Sequence, residues 1–263
     1  MCDNMNIGII GVGNIGGMIL DTLYNEKNNF NIINRTRSKI KKYENIKNIT
    51  ICKSIKDVYK NSKFIFIAVK PQHIDEVFEE ISKIEEKENY IISTAAGKEL
   101  KEITEKTGKS NVVRIMPTIV SKIGKGVTAI TFSQAIEKDI KKEIIELMKP
   151  LGKMLELEEE KFDAFTILNS SGPAFVAFIL ESFIEGAINI GLHAETAKDI
   201  VLKTFEGSIK FIEKENIELS ELKYKVSSPG GVTIKGLYEL EQKGVKGAIM
   251  KSVYESYLKN KKL

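Results

Sequence analysis

Ile7-Gly8-Ile9-Ile10-Gly11-Val12-Gly13-Asn14-Ile15-Gly16-Gly17 decides the fold. An apolar run beginning at Asn6 stops on glycine, and Ile15–Tyr24 continues with apolar residues at helical spacing. The stretch holds G-x-G-x-x-G at Gly11, Gly13 and Gly16. Glycine triplets in surface turns give the same spacing, so the strand before it and the helix after it carry the reading. In that setting Gly11 permits a tight turn, Gly13 lets the backbone approach a pyrophosphate, and Gly16 lets helix pack on strand. Ile10, Val12, Asn14 and Ile15 complete the loop, whose N–H groups at the helix start face the phosphates.

Working outward, strand and helix signals alternate. Asn31–Asn34, Ile49–Cys52, Phe64–Val69, Tyr90–Thr94 and Val112–Met116 read as strands, the third of them apolar without interruption, as a strand covered on both faces should be. Val127–Phe132 and Met154–Leu157 read as later strands flanking a helix from about Ala135 to Met148. After Glu158 the pattern changes. Phe162–Ile190 is apolar on nearly every side, and Thr196–Phe211 and Lys235–Lys259 have helical spacing. The expected fold is α/β: a Rossmann-type, doubly wound parallel sheet over residues 1–157, then an all-helical domain over residues 158–263. A helix apolar all round needs a cover, which predicts a homodimer or a higher homo-oligomer.

The chain of 263 residues is 42% hydrophobic and 29% charged, enough for a packed core. Forty basic residues against 36 acidic ones leave a net charge of +4, spread along the chain, which excludes a nucleic-acid footprint. Met1–Met5 lacks the basic start of a signal peptide, and the apolar run Ala174–Leu180 is far shorter than the roughly 18 residues of a membrane span. Two cysteines, Cys2 and Cys52, make no disulfide framework. These features predict a soluble, cytoplasmic protein.

Arginine occurs only at Arg35, Arg37 and Arg114. Two of the three follow the second strand, where an Asp or Glu would bind the ribose 2′-OH of NAD and repel a 2′-phosphate. Asn34-Arg35-Thr36-Arg37, with Lys39 nearby, instead suits a phosphate-bearing ribose, predicting NADP(H) as the preferred cofactor and NAD(H) as the lesser one.

Further motifs follow: Ala68-Val69-Lys70-Pro71-Gln72, Ser93-Thr94-Ala95-Ala96-Gly97 and Arg114-Ile115-Met116-Pro117 at strand ends, then Asp163-Ala164-Phe165-Thr166, Ser171-Gly172-Pro173-Ala174, and Val226-Ser227-Ser228-Pro229-Gly230-Gly231-Val232-Thr233. In this order, from Ile7 to about Leu258, the chain resembles pyrroline-5-carboxylate reductase, the family of the last step of proline biosynthesis. The S-P-G-G-x-T segment is its most specific piece. The resemblance implies reduction of the ring C=N of 1-pyrroline-5-carboxylate to L-proline with NAD(P)H, on a Rossmann domain followed by a helical domain that interlocks with a partner subunit. It carries Gly11–Gly16 onto the family's phosphate loop and Asn34, Arg35 and Thr36 onto the segment meeting the adenosine ribose. Ala68, Val69, Lys70 and Pro71, with Ala95, Ala96 and Gly97, fall on the strand ends around the nicotinamide. The Lys70 side chain reads equally as a plain surface lysine.

Ser228–Thr233 precedes the helix expected from Lys235. Adjacent glycines and a helix start expose backbone N–H groups, a nest for one small carboxylate. Taken alone, the stretch also reads as an ordinary Pro-Gly turn capping a helix; the resemblance favours the nest. The carboxylate is then expected on the amides of Gly231, Val232 and Thr233, after the turn at Gly230 and with help from the Ser228 hydroxyl. The Thr233 hydroxyl is expected to hydrogen-bond the ring nitrogen as the catalytic group. An imine can take its proton from water, so no histidine is required.

No metal site is expected. His73 and His193 have no ligand spacing around them and read as surface or turn residues, and Cys52 reads as a small buried side chain. The chain departs from the family pattern at Thr118-Ile119-Val120, at Asn169-Ser170-Ser171 and in Glu215–Glu221, while Gly124, Gly126 and Thr128 remain. Two rivals stay open: a related reductase of another small cyclic imino or keto acid, since the nest needs only a carboxylate, and a non-catalytic NADP(H)-binding regulator, which the first change would suit.

Overall fold

The structure, a computed structural model, describes residues 5–85 and 89–261. Cys2, with the rest of Met1–Asn4 and the last two residues of the lysine-rich tail, lies outside the described residues. The chain divides into two compact units: one ends at Ser170 and takes back Asn260, and the other is Ser171–Lys259.

The first unit is built on eight strands in one sheet: β1 (Asn6–Ile10), β2 (Asn29–Ile33), β3 (Ile49–Ile51), β4 (Phe64–Ile67), β5 (Tyr90–Ser93), β6 (Val112–Met116), β7 (Gly126–Phe132) and β8 (Gly152–Glu156). Their order is β3-β2-β1-β4-β5-β6-β7-β8. The first six run parallel, and β7 pairs antiparallel with β6 and parallel with β8. Around them lie α1 (Asn14–Leu23), α2 (Ile55–Lys60), α3 (Ile74–Ser82), α4 (Leu100–Thr107), α5 (Lys138–Met148) and the short α6 (Phe162–Thr166).

The central strands are apolar throughout because both faces are covered. Ile7, Ile9, Phe30, Phe64 and Phe66 join Met18, Ile19 and Leu20 of α1 and Ile144 and Leu147 of α5 in one core. Ile10, Ile65, Ile67 and Ile91 meet Val58 and Tyr59 of α2, Phe78 and Ile81 of α3, and Ile103 of α4 in the other. In α3 the buried residues Ile74, Val77, Phe78 and Ile81 fall at helical spacing, so one face packs and the acidic face stays in water. The sheet is thus the expected doubly wound one. Its reversal at β7 follows a tight 3-10 turn, Ile119–Ile123, that ends on Gly124 at φ +67°.

The second unit contains α7 (Gly172–Asn189), α8 (Ala194–Glu215), α9 (Leu219–Lys225), α10 (Val232–Gln242) and most of α11 (Val245–Asn260). The single helix expected over Lys235–Lys259 is two helices, broken at Gly244, whose φ of +64° no helix interior accommodates. The helix α9 had no strong apolar periodicity to announce it. Apolar surface stands open here. None of α7 is buried, and Phe178 is 70% and Ile190 80% exposed. Phe183 and Phe205 pack edge to face at 5.2 Å between α7 and α8.

One expectation needs correcting. The apolar run is not the short Ala174–Leu180 but a helical stretch, Glu159–Asn189, of 31 residues that is long and apolar enough by length and composition to cross a membrane. A five-residue π turn, Ile167–Ser171, lies between α6 and α7.

Candidate active site

Register builds the first part of the site. Ile33, Ile10, Ile67 and Ser93 stand side by side on β2, β1, β4 and β5, so the next residues, Asn34, Gly11, Ala68 and Thr94, form a row at the carboxyl ends. The strand order reverses between β1 and β4, and ligands of open α/β sheets bind at that switch point.

At the centre of the row is the glycine loop. Gly11 has φ +94°, and a Cβ there would meet the Val69 side chain at 2.7 Å and the Ala68 carbonyl at 2.8 Å. A Cβ on Gly16 would lie 1.9 Å from the Gly11 carbonyl, whereas one on Gly13 would meet nothing within 4 Å. Gly11 and Gly16 are therefore needed for the turn and the helix packing, and Gly13 for space above the loop. Gly11 N–H donates to the Ile33 carbonyl at 2.9 Å and Val12 N–H to Asn34 Oδ1 at 3.0 Å. With those two donors spent, the first-turn N–H groups of α1, at Asn14, Ile15 and Gly16, are the ones left to face an anion.

Asn34, expected to meet the ribose, lines the groove and also holds the loop in place. Its Oδ1 holds Val12, and its Nδ2 donates to the Thr36 carbonyl at 2.8 Å, so it ties the glycine loop to the β2 turn. Arg35, Thr36 and Arg37 are exposed beyond it. They line a groove of about 530 Å³ together with Gly11, Gly13, Ala68, Val69, Lys70, Lys39, Cys52 and Lys53. Cations outnumber the acids Glu76 and Glu80 on its walls. Pro71, which opens the 3-10 turn Pro71–His73, and Ala95, Ala96 and Gly97, beyond the end of β5, lie outside the groove lining.

The far end of the groove is formed by Cys52, Lys53 and Ser54. Ser54 caps α2 by a reciprocal box: Asp57 N–H donates to Ser54 Oγ at 3.1 Å and Ser54 N–H to Asp57 Oδ2 at 3.0 Å. Hydrogen bonding to Ser54 holds the Asp57 carboxyl below its usual range. Burial, reinforced by the Asp57 charge, pushes the Cys52 thiol up, so it is a poor nucleophile at neutral pH. Cys52 and His73 both line the groove, although neither was expected to. Their only signal was position: Cys52 directly follows β3, and His73 closes the turn after β4.

The changed segment after Pro117 is ordered. Thr118 is 2% and Ser121 0% exposed, and Thr118 N–H donates to Ser121 Oγ at 3.4 Å. Asn169, in the π turn, donates to the Met116 carbonyl at 3.3 Å and so holds that turn to the end of β6. Arg114, the third arginine, is 3% exposed within β6; it donates to Glu159 at 3.0 Å and stacks on Phe162 at 4.7 Å. It packs within the first unit, with Glu159 as its ion-pair partner.

In the second unit, Ser228-Pro229-Gly230-Gly231 is a turn of type II character, with Gly230 at φ +68° and Gly231 N–H donating to the Ser228 carbonyl at 3.0 Å. That bond corrects the expected donor set, because the Gly231 amide is spent. The helix α10 begins three residues earlier than expected, at Val232 with Gly231 as its cap, so its free donors are Val232, Thr233 and Ile234. A Cβ on Gly231 would lie 2.2 Å from Ser228 Oγ, so glycine there lets the hydroxyl sit over the turn.

The pyrroline-5-carboxylate reductase dimerisation family matches residues 159–263, and the coenzyme F420-dependent NADP oxidoreductase family matches residues 6–97. A pyrroline-5-carboxylate reductase of Aquifex aeolicus is 33% identical over 98% of this chain and 97% of its own length. Among solved structures, 1-pyrroline-5-carboxylate reductase of Streptococcus pyogenes covers 100% of both chains with a TM-score of 0.90 and 26% identity. Pyrroline carboxylate reductase of Plasmodium falciparum, solved with NADP bound, covers 99% of this chain and 98% of its own, with a TM-score of 0.88 and 25% identity.

Proposed function

The chain belongs to the pyrroline-5-carboxylate reductase family, and we propose that it reduces the ring C=N of 1-pyrroline-5-carboxylate to L-proline with NADPH, the last step of proline biosynthesis. The observation that carries this reading is the pairing of a glycine loop with space over Gly13 and a cationic groove at Arg35–Arg37, in a chain matched along its whole length by reductases of that name.

NADPH fits the groove: its walls are cationic where a 2′-phosphate needs partners, and the loop is open where a pyrophosphate needs approach. When bound, the cofactor supplies the hydride. The chain's own residues bind and orient. Asn14, Ile15 and Gly16 present N–H groups to the pyrophosphate, and Arg35, Thr36 and Arg37 meet the adenosine ribose and its phosphate. Val232, Thr233 and Ile234 hold the substrate carboxylate, and Ser228 shapes the turn before them. The Thr233 hydroxyl hydrogen-bonds the ring nitrogen, keeping the protonated imine in one orientation while water supplies the proton.

The uncovered apolar surface of α7 belongs, on this reading, to an interface between copies of the chain, since it lies within the dimerisation match. The buried free thiol of Cys52 suits a reducing compartment, and we assign the enzyme to the cytoplasm.

A spectrophotometric assay tests the whole reading. Pyrroline-5-carboxylate added to protein and NADPH should consume the absorbance of the reduced nicotinamide. Tight NADPH binding without consumption would make the protein a regulator, and faster turnover of another cyclic imino acid would make it a related reductase.

A further inference from the structure

Arg35 is held by an unusual partner. Its Nη1 lies 3.3 Å from Nδ1 of His73, 38 residues away, and among the described residues it forms no ion pair. The backbone that carries the imidazole is itself held. His73 closes the turn after β4, with its N–H donating to the Lys70 carbonyl at 2.9 Å, and its side chain is 26% exposed. A guanidinium has only donors, so in this contact Nδ1 is the acceptor. Glu76 Oε2 stands 3.7 Å from the same Nδ1, beyond hydrogen-bond reach.

The choice of acceptor has a consequence. A carboxylate at this spot would fix Arg35 equally well but would neutralise the charge that a phosphate requires. A neutral imidazole takes one N–H, leaves the positive charge whole, and leaves the other donors of the fork free. Both residues line the groove, so the pair stands at the ligand surface.

We propose that His73 is a positioning residue for cofactor choice: it pre-orders Arg35 toward the 2′-phosphate of NADPH without spending the arginine's charge. The inference rests on the proposed role of Arg35 as a phosphate partner. His73→Leu removes the acceptor and keeps side-chain bulk, and His73→Asn restores an acceptor at the place of Nδ1. KM for NADPH should rise about two- to tenfold in His73→Leu, the worth of one hydrogen bond, and by a clearly larger factor than KM for NADH. His73→Asn should recover most of the loss. In an Arg35→Asp background, His73→Leu should add nothing.

Equal changes for both cofactors, or no change for either, would overturn the positioning role. Arg35→Asp alone separates the two claims. If it weakens NADPH far more than NADH while His73→Leu discriminates nothing, only the role of His73 fails. If Arg35→Asp affects both cofactors alike, the phosphate assignment fails and the inference falls with it.

Discussion

Arg114 and Glu159 are 45 residues apart and meet at 3.0 Å, with the arginine side chain 4% and the glutamate 25% exposed. The same carboxylate accepts the Leu100 N–H at 2.8 Å, at the start of α4. One acid therefore compensates a buried cation and caps a helix.

The two partners should not be equivalent. Glu159→Ala strands a charge in the core and uncaps α4, which should cost about 3 kcal/mol by chemical denaturation. Arg114→Met leaves the acid its helix cap and some water, and replaces a buried cation by an apolar side chain, so the loss should be about 1 kcal/mol. A larger loss from Arg114→Met would contradict this account.

Gly13 and Gly16 make a second contrast. Gly16→Ala drives a methyl into the Gly11 carbonyl and should destabilise by about 3 kcal/mol or more. Gly13→Ala meets only open space, so stability should fall by about 1 kcal/mol at most, while KM for NADPH rises several-fold. If Gly13→Ala left cofactor affinity intact, the space above the loop would not be the pyrophosphate seat.

Thr233→Ala should lower kcat about tenfold, the value of one hydrogen bond made to the reacting ring, with NADPH affinity measured by fluorescence titration unchanged. Unaltered turnover together with weakened NADPH binding would remove Thr233 from the substrate site.

Cys52 gives a pH-dependent readout. Its folded-state pKa is raised, first by burial, so the thiolate is scarcer at neutral pH than in an ordinary thiol and becomes available only as pH rises. Alkylation at Cys52, followed by peptide mass mapping to separate it from Cys2, should be slow at pH 7 and faster toward pH 9 or so. Because the thiol lines the groove, saturating NADPH should slow it further. Fast reaction at neutral pH, or indifference to NADPH, would place Cys52 elsewhere in function.

Much of this was readable from residue order. Phe64–Ile67 betrays a strand covered on both faces, and Gly11–Gly16 betrays a phosphate loop, because both signals are local. The break at Gly244 was not read, since a single glycine inside a helical pattern only lowers the odds of continuation. The position of Asn34 marks it as a ribose partner, but its bond from Val12 is invisible in sequence because it depends on the tertiary register of β1 and β2. His73 was passed over for the same reason, since nothing within a few residues of it points toward Arg35. Gly231 looked free because the closing bond of its turn depends on the backbone dihedrals of Gly230.

The open apolar side of α7 also bears on how the protein is made. With α7 as the proposed interface, a newly synthesised copy would end its intramolecular folding with a greasy rod still wet, and the last stage of maturation would be a collision with a twin. Its speed then scales with how many twins are nearby, and a cell expressing few of them would hold a standing pool of half-finished molecules exposed to chaperones and proteases.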